Sequence, residues 1–200
     1  MAAPSQVHTV LTLEEFLRMP DIDEVPYLEY IDGRVETKAT PTSKHNLIEH
    51  RLVRSLSDFV EPNGLGMALH EIRHTFEGRS IVPDVTFWLA ENLVINPDDT
   101  PSNLVLVPPD IYVEILSPDQ SVTKTHAKLL FSTSHGSQLG ILIHPERKTI
   151  DVYRPERSPE RLADDGAIDF APVLPGLIVT VAEVFSWMVV RIGRPKVEPE

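Results

Sequence analysis

Ile111-Tyr112-Val113-Glu114-Ile115-Leu116 is a nearly continuous apolar run interrupted by one acid. Such a run reads as the central strand of a sheet, covered on both faces. Ionised carboxylates are rarely buried without compensation, because desolvation costs several kcal/mol. Glu114 therefore requires a cation, a metal or a proton. Asp84 makes the same demand, since it follows Pro83 inside a second apolar stretch, Ile81–Leu89. Strand alternation groups Asp84 with Val82 and Thr86, and Glu114 with Tyr112 and Leu116. On neighbouring strands the two carboxylates would stand roughly 5 Å apart. Two hard oxygens at that spacing suit Mg²⁺. The alternative is that each acid pairs with a buried Arg or Lys, or ends its strand in solvent. Neither strand contains a basic residue, which favours a shared site. Asp110, after Pro109, is no partner for Glu114, because four residues along one strand span about 13 Å; it is expected to end a loop.

The flanking segments predict a mixed sheet with helices. Thr12-Leu13-Glu14-Glu15 is a capping box that opens a helix ending near Met19, ahead of Pro20. Asp32-Gly33 lies between Tyr27–Ile31 and Arg34–Thr37, the strongest short signal for a hairpin. Asn46–Val60 carries Ile48, Leu52, Leu56, Phe59 and Val60 at helical spacing. Strands are predicted over Gly66–Arg73 and Ile81–Leu89, with Glu77-Gly78-Arg79 as the turn. The proline-rich stretch 91–110 is loop, with Leu104–Val107 briefly extended. After the central strand come a helix over Ser121–Ser134 and strands Leu139–Ile143 and Thr149–Tyr153. Arg154–Pro172 reads as a loop or loose hairpin around Asp165-Gly166, and a second capping box at Thr180 opens a last apolar helix reaching Val190. The order fits an α/β (α+β) class, a central mixed sheet flanked by helices. One domain over residues 1–193 is expected, with 194–200 as a frayed tail.

Composition narrows the function classes. Eighteen Lys and Arg against thirty Asp and Glu give a net charge of −12, which argues against broad non-specific nucleic-acid binding. A local basic rim around a carboxylate site remains compatible with it, and Arg73, His74 and Arg79 are candidates for that rim. The absence of cysteine removes disulfides, thiolate metal sites and cysteine nucleophiles. No apolar run is long enough to span a bilayer, and MAAPSQVHTV lacks the features of a secretory signal. A cytoplasmic protein is the simplest reading. Phosphate-binding glycine loops and a Gly-x-Ser-x-Gly elbow are missing.

Pro83-Asp84, followed thirty residues later by Glu114-Ile115-Leu116, resembles the PD-(D/E)XK nuclease motif. More specifically, the chain resembles the Uma-type family of restriction-endonuclease-like proteins from Thr12 to about Phe185. The resemblance runs through Thr12–Phe16, Tyr27–Gly33, His45, Pro83–Phe87, Val113–Pro118, Lys128-Leu129 and Leu174–Leu177. It implies the restriction-endonuclease-like fold, a divalent cation and a DNA substrate. The wider motif has a lysine two residues after the glutamate, where this chain has Leu116. The family resemblance implies a lysine relocated to the next helix, a position that Lys128 matches. Lys124 lies one turn earlier and is the competing candidate, and a solvated surface lysine is the bland alternative. Glu29 matches a carboxylate kept in the family's hairpin, as a further ligand or as an ordinary strand residue. His45 either shapes the site or simply begins a helix. Around Leu139–His144 the family has an aromatic residue and an acid where this chain has Gly140 and His144, and tyrosine is usual near Phe131.

The reading is a metal-dependent endodeoxyribonuclease. Asp84, Glu114 and the Ile115 carbonyl hold Mg²⁺ or Mn²⁺, while Lys128 orients or deprotonates the attacking water. The rival is an inactive domain of the same fold that binds nucleic acid or self-associates, with Val181–Val190 as a homodimer face. A small-molecule hydrolase using the same ion is the third option.

Overall fold

The computed structural model describes residues 11–190 except Asp119. The bounds expected for the domain and its tail lie outside these residues. Thr12 caps α1 (Leu13–Leu17) with both hydrogen bonds of the capping box in place. The first hairpin pairs β1 (Leu28–Ile31) with β2 (Arg34–Thr37). Asp32 and Gly33 both take positive φ, 50° and 81°, as a two-residue turn of this twist demands. Thr42 caps α2 (Ser43–Val60), which starts three residues earlier than the apolar periodicity suggested.

Six strands form the main sheet, in the order β10-β9-β8-β7-β6-β3. They are β3 (Gly66–His70), β6 (Val85–Leu89), β7 (Ile111–Ile115), β8 (Leu139–His144), β9 (Thr149–Tyr153) and β10 (Glu160–Leu162). β7 and β8 run parallel, joined through α3 (Val122–Ser134), and the other neighbours are antiparallel. A smaller sheet, β2-β1-β5-β4, adds β4 (His74–Phe76) and β5 (Arg79–Ile81). A third pair joins β11 (Ala167–Asp169) and β12 (Ile178–Thr180).

Period-two alternation gives β7 two different faces. Val113 and Ile115, with Ile141 and Ile143 of β8, pack against Ile48, Leu52 and Leu56 of α2 and against Val184 and Phe185. Each such aliphatic side chain stabilises the fold by about 1.5–3 kcal/mol. Tyr112 and Leu142 belong to the opposite face, with Leu129 of α3 and with Phe76 and Ile81 of the small sheet. Glu114 shares the parity of Tyr112, so it points toward α3.

Four expectations need correction. Ile81–Leu89 is two strands in two sheets, and the chain changes sheet across Val82, Pro83 and Asp84. Pro83 cannot donate to a ladder, so the switch falls where the sequence allows it. β3 stops at His70, because Glu71 turns out of the ladder at φ 55°. Within 154–172, β10 pairs with β9 and β11 pairs with β12, so Asp165-Gly166 closes no hairpin. The last helix, α4, spans only Val181–Ser186. Its Val181, Val184 and Phe185 fill the core, whereas Val189 and Val190 beyond it are exposed.

Of the rim expected of Arg73, His74 and Arg79, Arg73 and His74 serve the interior, and Arg79 alone borders a cleft. Arg73 binds Asp23, Ser80 and the carbonyls of Ile22 and Leu28. Arg79 grips Asp32 through two hydrogen bonds and lies 3.7 Å over the Phe131 ring. His74 is fully buried, stacked on Trp88 at 5.0 Å, and donates from Nδ1 to the Val107 carbonyl at 2.9 Å. Burial pushes its pKa down to about 4, against a small opposing effect of the Val107 bond.

The folded state therefore holds His74 neutral while the unfolded chain protonates near pH 6.5. Stability from this residue is complete above pH 6.5 and is lost as pH falls toward 4, on the order of 3 kcal/mol in total. Urea unfolding at pH 7 and pH 4.5 should show a His74→Leu variant losing much less stability across that interval than the parent. Equal losses would refute a buried neutral His74.

Candidate active site

Asp84 and Glu114 stand opposite each other one step beyond the Val85↔Val113 pair of β6 and β7. The Asp84 amide donates to the Val113 carbonyl at 3.1 Å, and Asp84 Oδ2 accepts the Ile115 amide at 2.6 Å. Asp84 thus clasps β7 on both sides of Glu114. Ile115 enters the geometry through its N–H, with its side chain in the core. Both carboxylates are 0% exposed.

Their compensation is cationic, and it comes from outside both strands. Lys38, just after β2, places Nζ 2.7 Å from Asp84 Oδ1 and donates to the Val82 carbonyl. Lys128 of α3 places Nζ 2.6 Å from Glu114 Oε1 and 3.0 Å from both oxygens of Glu29. Glu29, buried on β1, also accepts the Val82 amide at 2.8 Å. The absence of basic residues from the two acidic strands thus did not leave the acids unpaired. Lys124, the competing lysine, is at the surface with Glu36.

Two buried oxygens remain without a donor. Glu114 Oε2 has no hydrogen-bond partner, although Oε1 also receives the Tyr112 hydroxyl at 2.5 Å. Asp84 Oδ1 meets Lys38 as an ion pair without hydrogen-bond alignment. The buried cluster holds three carboxylates, Glu29, Asp84 and Glu114, against two lysines, Lys38 and Lys128, and against His45, whose pKa burial would lower but Asp84 and Glu49 raise. No hydrogen-bond donor meets Glu114 Oε2, so that buried oxygen is where an added cation fits.

The electrostatics follow from that crowding. Burial opposes ionisation of Asp84, but Lys38 and His45 outweigh it and hold its pKa below the usual carboxylate range. Burial pushes Glu114 up; Lys128 opposes this, while Asp84 and Glu29 reinforce it. Burial would lower Lys128, yet Glu114 and Glu29 overcome it and raise its pKa, so it is an ammonium rather than a base. This corrects the expectation that Lys128 might deprotonate water.

His45 combines both roles foreseen for it: its amide is capped by Thr42, and its Nε2 lies 3.4 Å from Asp84 Oδ1. Asp110 closes the far end of the sheet, accepting the Leu89 amide and the Asn92 side chain. Gly140 lets α3 sit close, since a Cβ there would lie 3.1–3.2 Å from Leu129, Tyr153 and Thr133. His144 is bound to Asp151 across the strand pair at 2.9 Å.

Lys38 and Glu49 were missed in the sequence. Lys38 follows an exposed hairpin strand, and Glu49 shares α2 with charged surface residues, so local pattern reads both as solvated. Glu49 is instead buried beside His45, and burial, with Asp84 nearby, pushes its pKa up to about 7.

A mixed sheet flanked by helices, with an acid–lysine cluster where two strands meet, defines a restriction-endonuclease-like, nuclease-type protein. The chain belongs to the Uma2 family, described as "Putative restriction endonuclease", which matches residues 13–182. It is also similar to the crystal structure of a putative nuclease belonging to DUF820 from Anabaena variabilis. The TM-score is 0.85 at 34% identity, covering 89% of this chain and 99% of that one. No curated protein matches. Among the described residues, no helix is long and apolar enough to cross a membrane.

Proposed function

We propose that this chain is a metal-dependent endonuclease that hydrolyses DNA phosphodiester bonds. Asp84, Glu114 and the Ile115 carbonyl would hold Mg²⁺ or Mn²⁺. The observation that carries this reading is Glu114 Oε2, a buried carboxylate oxygen without a hydrogen-bond partner. When bound, the ion activates water and offsets charge on the phosphate. Lys128, fixed by Glu29 and Glu114, acts as an ammonium that orients water and stabilises the developing phosphate charge. Glu29 positions Lys128 and ties β1 to the sheet switch at Val82. A cleft of about 360 Å³ reaches Lys128 between Arg34, Arg79 and Lys124, alongside Asp32 and Glu36. These bases give an anionic strand local purchase on a chain of net charge −12.

The protein is expected to cut plasmid DNA with Mg²⁺ or Mn²⁺ and not with a chelator present. Asp84→Ala should lower the rate more than about a hundredfold, as the several kcal/mol supplied by a metal centre imply. Unchanged cutting by that variant would remove the assignment.

The complete burial of Asp84 and Glu114 against lysines favours a second reading: an inactive domain that binds nucleic acid or a second copy of itself. Calorimetry separates the two. An inactive domain takes up no divalent ion that depends on Glu114.

A further inference from the structure

Another group of ligating atoms lies beyond the cluster around Glu114. Glu49 stands on α2, His70 ends β3 and Glu71 follows it. One ligand atom from each falls within 4.8 Å of the other two. Glu49 is nine-tenths buried, and its Oε1 has no hydrogen-bond donor. His70 Nδ1 lies 3.6 Å from that oxygen. A buried carboxylate oxygen without a donor, aimed at an imidazole nitrogen beside a second carboxylate, is an arrangement that a cation completes.

We propose that Glu49, His70 and Glu71 form a second divalent-cation site, suited to a transition ion such as Mn²⁺ or Zn²⁺. The imidazole sets the preference, since Mg²⁺ and Ca²⁺ take oxygen ligands and nitrogen donors favour the transition series. Three protein ligands leave a coordination position open. The same three residues line a cavity of about 600 Å³ together with Asn46, His50 and Arg54. An anionic group such as a phosphate would complete the coordination there, next to Arg54.

This site shares no ligand with Asp84 and Glu114, because two bases stand between. His45 Nε2 lies 3.9 Å from Glu49 Oε2 and 3.4 Å from Asp84 Oδ1. Lys38 Nζ lies 3.7 Å from Glu71 Oε1 and 2.7 Å from Asp84 Oδ1. The inference is independent of the nuclease reading. Its simplest rival is a Glu49 that stays protonated and binds nothing.

The full chain carrying Glu114→Gln, titrated calorimetrically with Mn²⁺ alone and with Zn²⁺ alone, tests it. One equivalent should still bind. Adding His70→Ala, at an exposed side chain, should weaken that equivalent at least about tenfold. Adding His135→Ala, at an exposed histidine elsewhere, should leave it unchanged, and Glu71→Gln should weaken it as His70→Ala does. Unaltered affinity in the His70→Ala protein overturns the proposal. So does loss of all uptake with Glu114→Gln alone, a result that would leave the Asp84 and Glu114 assignment standing.

Discussion

Lys128→Met is expected to destabilise the protein by about 3–5 kcal/mol, the usual cost of leaving buried charge uncompensated. Lys128 contacts both Glu29 and Glu114, and all three are buried. Removing the ammonium leaves Glu29 and Glu114 without the cation they share, since Lys38 and His45 meet Asp84. Methionine retains the aliphatic stem, so the loss measures charge rather than packing. Urea unfolding should find the deficit, and Glu29→Gln combined with Glu114→Gln in the same chain should recover most of it. If the triple variant is no more stable than Lys128→Met, the lysine is not there to balance those acids. Cleavage should also vanish in Lys128→Met.

Glu114→Gln has the opposite signature. Its carboxylate keeps one buried oxygen without a partner. The glutamine oxygen can still accept from Tyr112 and Lys128, the two donors that now meet Oε1. The substitution removes one buried negative charge, and Lys128 keeps Glu29 as its partner. Stability in the absence of metal should fall by no more than about 1–3 kcal/mol, the cost of one unsatisfied buried amide group. DNA cleavage should fall on the order of a thousandfold, since a carboxylate ligand to a catalytic ion is lost. A site that keeps an unpartnered buried carboxylate oxygen for the sake of function behaves in this way. Marked destabilisation with cleavage retained would make Glu114 a structural ion-pair member instead.

Much of the framework was legible in the sequence because its signals are local. The Thr12–Glu15 capping box, the Asp32-Gly33 hairpin, the bounds of β9 at Thr149–Tyr153 and the buried strand around Glu114 each depend on residues a few positions apart. Rotamers, turn dihedrals and side-chain periodicity determine such features without knowledge of the rest of the chain. The switch of sheets at Pro83 was half legible: the proline marked it, but only the smaller sheet required it.

By itself the sequence determined that Glu114 had to be buried and that something had to answer its charge, because its neighbours on the strand are all apolar. What answered it was decided by the tertiary structure. Lys38 and Asp84 are 46 residues apart in the chain, and Glu29 and Lys128 are 99 apart. Coulombic attraction depends on distance in space, which neither composition nor periodicity encodes. Packing α3 over one face of β7, and joining β1 to the sheet switch at Val82, brought those charges together.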